Sequence, residues 1–123
     1  MKEEMKNKSL TKAELNLMSI LWDKEQATVN DLIEALPEPK PAYTTVLTVM
    51  QILTKKQVVT FEKQGKANVY APQFSRQEYL DNFMDETRDN LFQGSAKSFL
   101  SFFAKHEKIS KNELEEILKE MND

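Results

Sequence analysis

A chain of 123 residues with 40% apolar and 30% charged side chains is the size of one compact domain, or of a small domain with an appendage, and its composition excludes a disordered polymer. It has no cysteine, which rules out disulfides, thiolate metal sites and cysteine nucleophiles. No apolar run approaches the roughly 18 residues of a membrane span, and the opening MKEEMKNKSL lacks the apolar core of a signal peptide, so a cytoplasmic protein without membrane insertion is expected.

The net charge of −3 argues against nucleic acid, but its distribution does not. Residues 40 to 75 hold five lysines against the single acid Glu62, a local balance of +4, while residues 76 to 123 come to −4. Such asymmetry is informative where the total is not. The plainer alternative is that these lysines only keep a surface soluble.

Thr11-Lys-Ala-Glu14 is a capping box, in which hydroxyl and carboxylate satisfy free backbone amides reciprocally. Behind it Leu15, Met18, Leu21 and Trp22 fall on one helical face. A brief extended segment follows at Ala27-Thr28, then a short helix capped by Asn30 or Thr28. Pro37, Pro39 and Pro41 make the next connection stiff and non-helical, and a third helix is expected from about Ala42 to Lys56. From Val58 the period changes from helical to alternating. Val58–Glu62 and Asn68–Ala71 read as two strands, with Lys63-Gln64-Gly65-Lys66 as their turn; Gly65 stands where positive φ is needed. Three helices closed by such a hairpin are the pattern of a winged helix-turn-helix.

Two more capping boxes, Ser75-Arg-Gln-Glu78 and Ser110-Lys-Asn-Glu113, open helices in the remainder. Tyr79, Phe83, Leu91, Phe99, Leu100, Phe103, Leu114, Ile117 and Leu118 supply apolar stripes too rich for about 48 residues to bury alone. The expected fold class is therefore mainly α, with a winged head at 1–74 and a helical dimerisation region at 75–123. Those nine residues are the expected interface of a homodimer; packing of the tail onto the head is the alternative.

The third helix holds the functional signal. At about 100° per residue, Ala42, Tyr43, Val46, Val49, Met50 and Leu53 fill the arc expected to be buried. Opposite lie Thr44, Thr48, Gln51 and Lys55, flanked by Leu47, Ile52 and Thr45. A merely solvated helix would use Glu and Lys there for propensity and i,i+4 pairs, yet this stripe has no acid. Threonine hydroxyls bond phosphates and their methyls pack on thymine, glutamine pairs with adenine, and lysine holds a phosphate. The helix start offers free amides as well. Thr44, Thr45, Thr48, Gln51 and Lys55, with Lys63 and Lys66 at the wing, are the expected contacts to double-stranded DNA. Packing of the helix against protein on both sides is the alternative, which would make the chain a winged-helix protein adaptor without DNA binding.

No enzyme is expected. The lone histidine, His106, sits among charges in AKHEK, too few groups for a metal site or a triad. With only Gly65 and Gly94 there is no phosphate-binding glycine loop. No metal and no cofactor are expected.

The segments LTKAELNLMSILW, YTTVLTVMQILTKK, VYAP and FQGSAKSFLSFFAK, in this order and spacing, resemble the penicillinase-repressor family (the BlaI/MecI/CopY type) over residues 10 to 121. The resemblance implies a dimeric transcriptional repressor, with a winged head on a palindromic operator and a tail that dimerises. The family's groove-facing threonines map onto Thr44, Thr45 and Thr48. It also implies a membrane metalloprotease sensor-transducer encoded nearby. The chain departs from the family pattern at Ile52, where arginine is frequent, and at Gln57, where glycine is frequent. If the backbone is left-handed at Gln57, it costs about 1 kcal/mol relative to glycine. The Asn-Phe bond cleaved during induction in the antibiotic-responsive branch corresponds here to Phe102-Phe103, so that cleavage is not carried over. The copper branch binds metal through C-terminal cysteines, which this chain lacks.

Overall fold

Among the described residues, every helix but one starts on a hydroxyl. In a computed structural model that describes residues 9–122, Thr11 opens α1 (Lys12–Lys24): the Glu14 N–H donates to its Oγ1 at 3.2 Å, and the Thr11 N–H donates to Glu14 Oε1 at 2.8 Å. Thr28, rather than Asn30, opens α2 (Val29–Ala35) through a second box with Asp31. Helix α3 (Tyr43–Lys55) starts at Ala42 without a side-chain cap. The hairpin β1 (Val59–Gln64) and β2 (Ala67–Pro72) follows. Ser75 and Glu78 form the box ahead of α4 (Arg76–Leu91). Ser95 caps α5 (Ala96–His106), and Ser110 accepts the Glu113 N–H at the start of α6 (Lys111–Asn122). The absence of a leader read from the N-terminus falls on residues 1–8, outside those described.

The chain divides into two compact units, one ending at Asn82 and one beginning at Phe83. In the first, Leu17, Met18 and Leu21 of α1 meet Val29 and Leu32 of α2, Val46, Met50 and Leu53 of α3, Val58 just ahead of the hairpin, and Val59 and Tyr70 within it. Leu15, expected on the buried face of α1, is 37% exposed, and Leu17 occupies the core instead.

The hairpin is longer and its loop shorter than the alternation implied. Pairing runs from Val59↔Pro72 to Gln64↔Ala67, which leaves only Gly65 and Lys66 in the loop. Gly65 at φ +64° supplies the positive torsion that lets a two-residue connection match the strand twist. Lys63, expected in the turn, therefore sits in β1 opposite Asn68. The extended segment at Ala27 joins this sheet: its N–H donates to Tyr70 O at 3.0 Å and its carbonyl accepts from Tyr70 N at 2.8 Å.

Two features fix the far end of α3. The Gln57 N–H donates to Thr54 O at 3.0 Å and the Val58 N–H to Leu53 O at 2.9 Å, a Schellman ending with buried Val58 packed beside buried Leu53. It requires φ +65° at Gln57, so the condition attached to that position, a left-handed backbone, is met. Beside it, Lys56 Nζ donates to both Glu14 carboxylate oxygens at 2.9 Å. Glu14 is only 3% exposed. Burial pushes its carboxyl up, but the Thr11 backbone N–H and Lys56 outweigh that and hold it below its ordinary value of 4.5.

The first two turns of α4 belong to the same unit. The Trp22 Nε1–H donates to Phe74 O at 2.9 Å, and the Trp22 and Tyr79 rings lie 5.6 Å apart. The Arg76 guanidinium covers the Trp22 ring at 5.6 Å while bonding Ser19 O and Asp23, each at 3.0 Å.

In the second unit no side chain of α5 or α6 is buried. Gly94 at φ +79° turns the chain between α4 and α5. Phe92 stacks on Phe99 at 5.2 Å, and Phe102 on His106 at 4.3 Å.

Glu14→Gln should cost about 2 kcal/mol in urea unfolding; Lys56, at 34% side-chain exposure, rehydrates in part, so the loss falls below that of a fully buried pair. Because the folded pKa is depressed, the contribution of Glu14 is complete above 4.5 and lost as pH falls through the folded value. The variant should therefore show a shallower acid limb than the wild type. Gln57→Gly should add about 1 kcal/mol by relieving the left-handed torsion, read as a higher urea midpoint at unchanged m-value.

Candidate nucleic-acid interface

Helix α3 is divided lengthwise. Val46, Met50 and Leu53 are buried, and Leu47 and Val49 pack partly against the core. Thr44, Thr45, Thr48, Gln51 and Lys55 are all exposed. The structure thus brings these five onto one open face of one helix, with no acidic residue in α3. Ala42 and Tyr43, expected in the buried arc, are exposed, Tyr43 by 49%. They stand at the first turn, ahead of Val46, the first buried residue of the helix. Periodicity misses this, because it assigns a face and not how far along the helix that face is covered.

The hydroxyls on this face are not equivalent. Thr48 Oγ1 donates to Thr44 O at 2.8 Å, the i−4 back-bond of a helical threonine. With its hydrogen occupied, Thr48 presents lone pairs and a methyl group to an incoming ligand. That suits a base-edge donor or a thymine methyl better than a phosphate oxygen, which needs a donor. Thr54 is bonded in the same way to Met50 O at 2.8 Å, but on the half-buried side.

Two adjacent lysines end on different sides. Lys56 turns inward to Glu14, while Lys55 stays exposed at the end of the threonine row. Among the described residues Lys55, Lys63 and Lys66 form no ion pair. Lys40, counted in the same positive stretch, instead donates to Glu34 O at 2.7 Å and to Leu36 O, satisfying the last carbonyls of α2. Three lysines of the five thus remain available to an anion. Lys63 lies in β1 and Lys66 in the loop, both exposed. They project from a hairpin rooted through Val58 and Val59 in the core that holds α3. Phe61, half exposed on β1 and 5.8 Å from the Tyr70 ring, is a wing residue the sequence did not single out. Its only signal was its place in an alternating run.

Of the residues expected at a dimer interface, Phe83, Leu91, Leu100, Phe103, Ile117 and Leu118 are exposed, and Phe99 and Leu114 are half-buried. Tyr79 is half-buried between Trp22 and Phe74 within its own chain. Met84, Phe102 and Met121 are exposed apolar side chains outside the expected set. In the second unit α5 and α6 frame an open groove of about 650 Å³, with Leu100, Ala104, Ile109 and Leu114 among its lining and Lys97, Lys105 and Lys108 beside them.

Among the described residues no group of three His, Cys, Asp or Glu side chains is placed to hold a metal ion, and no helix is long and apolar enough to cross a membrane.

Comparison with known proteins matches residues 10–123 to the family model described as penicillinase repressor. A penicillinase repressor of Bacillus licheniformis is 23% identical over 109 residues, spanning 88% of this chain and 85% of that protein. One of Staphylococcus aureus is 24% identical over 119 residues, spanning 96% and 94%. Among solved structures, the solution structure of the DNA-binding domain of the repressor BlaI aligns with a TM-score of 0.51 at 26% identity, covering 58% of this chain and 88% of that one.

Proposed function

The chain belongs to the penicillinase repressor family, and from that premise we propose that this DNA-binding transcriptional repressor acts as a homodimer on a palindromic operator. It is not an enzyme. The observation that carries the reading is the open face of α3: a hydroxyl- and amide-bearing row ending in Lys55, free of acid, on a helix whose other side is locked into the core. Thr44, Thr45, Thr48 and Gln51 are the base-reading set, and Lys55, Lys63 and Lys66 hold phosphates. The head at 1–74 binds DNA and the region 75–123 dimerises, with the first turns of α4, which pack on Trp22, as the connection between them.

The homodimer is supported by the second unit's own deficit. Its helices expose Phe83, Leu91, Leu100, Phe103, Ile117 and Leu118 and bury no side chain of α5 or α6. Apolar patches on that scale are rare on monomers and mark association. A symmetric pair covers the same patch on both copies. The protein works in the cytoplasm, where its operator is. A membrane metalloprotease sensor-transducer encoded nearby is its signalling partner, on family membership alone.

Binding to a duplex selected from a random library should weaken linearly in log–log salt titration. Replacing Lys55, Lys63 or Lys66 by alanine should lower the slope by about 0.9 each. Thr48→Ala should weaken specific binding about tenfold and leave non-specific binding unchanged. A chain that binds no duplex at low salt is a protein adaptor, and the operator reading is then wrong. Leu100→Asp or Phe103→Asp should shift the sedimenting species from dimer to monomer; an intact dimer removes the tail from that role.

A further inference from the structure

Two apolar side chains of α3 lie outside the core and its partly buried surround: Tyr43 in the first turn, and Ile52, 44% exposed, near the end. Ile52 follows Thr48 by four residues and precedes Lys55 by three, so on a helix surface both are its direct neighbours. Gln51 adjoins it in sequence, and all three neighbours are exposed. A single exposed isoleucine is ordinary on a protein surface. Here, however, it flanks a row whose members are all hydrogen-bonding or cationic, and it can serve neither a phosphate nor a base-edge donor or acceptor. The β-branched side chain is also confined to essentially one χ1 rotamer in a helix, so its methyl groups are held in a fixed direction at little further entropic cost on binding.

The major groove offers one feature that such a surface can recognise, the C5-methyl group of thymine. We propose that Ile52 is a specificity-determining residue that packs against a thymine methyl in each operator half-site. The inference rests on the reading of α3 as the DNA-facing helix and adds a position to it. Four residues of helix advance about 6 Å, and base pairs are spaced about 3.4 Å apart. The thymine therefore lies within about two base pairs of the base contacted by Thr48. Its recognition is by apolar contact alone, so it adds discrimination without adding to the salt dependence.

The test uses the full chain and the duplex it selects from a random library, with each thymine in turn replaced by uracil, which removes the methyl and keeps every hydrogen-bonding edge. For the wild type, one uracil position per half-site, near the Thr48 contact, should lower affinity about fourfold, with an unchanged salt slope. For Ile52→Ala, that same position should become indifferent to uracil, while uracil effects elsewhere persist and the thermal midpoint stays at the wild-type value. If Ile52→Ala keeps the wild-type uracil profile at every position, the inference is wrong and the DNA-facing reading of α3 stands. If no duplex is enriched at all, that reading falls and this inference falls with it.

Discussion

The carboxylate of Glu14 joins two helix ends that are 42 residues apart in the chain. It accepts the Thr11 N–H at the start of α1 and the Lys56 ammonium at the end of α3. A charge that is 3% exposed is tolerated only when it is paired and hydrogen-bonded. The contact therefore sets where α3 stops relative to α1. Its second consequence is for the neighbour in sequence. Consecutive helical residues point about 100° apart, so turning Lys56 inward leaves Lys55 facing out at the end of the threonine row. The open face of α3 and the ion pair on the buried Glu14 carboxylate are two sides of one placement.

That placement also explains how the protein tolerates a helix so poor in helix formers. Threonine lowers intrinsic helix propensity, and α3 has no side-chain cap at its start. Its stability comes from the opposite side, where Val46, Met50 and Leu53 enter the core with Leu17, Met18 and Leu21, and from the Schellman ending that passes Val58 directly into that core. Tertiary burial thus frees the outer face from any duty to propensity. The wing is secured by the same core, and its sheet gains a third partner where Ala27 pairs with Tyr70. Threonine on the outer face is affordable because nothing structural is asked of it.

The second unit presents the opposite case. Its helices are well capped and amphipathic, yet the apolar faces of α5 and α6 have no interior of their own to enter. Rings pair along the surface, Phe92 on Phe99 and Phe102 on His106, and this covers only part of the apolar area. Tyr79 behaves differently from the residues that follow it on α4, because Trp22, Phe74 and Arg76 gather around it in the first unit. A single helix thus starts in a finished core and continues into a region whose burial is incomplete.

Much of the fold was legible in the sequence, for a local reason. Capping boxes at Thr11 and Ser75, the hydroxyl cap at Ser110, the change of period at Val58 and the glycine turn all depend on residues within a few positions of one another. So does the acid-free row from Thr44 to Lys55. Spacing along one helix is enough to write that row down, and the resemblance to a repressor family rested on the same short segments. What only the tertiary structure decided is which side chains go inside and how far along each element the covered side runs. It took Leu17 in place of Leu15, exposed Tyr43 and Ala42, drew Lys63 into a strand, gave Tyr79 to Trp22, and separated Lys56 from Lys55 by offering one of them a buried carboxylate. Periodicity states that a helix has a buried side; the direction and reach of that side are set by the elements that pack against it, and these come from distant parts of the chain.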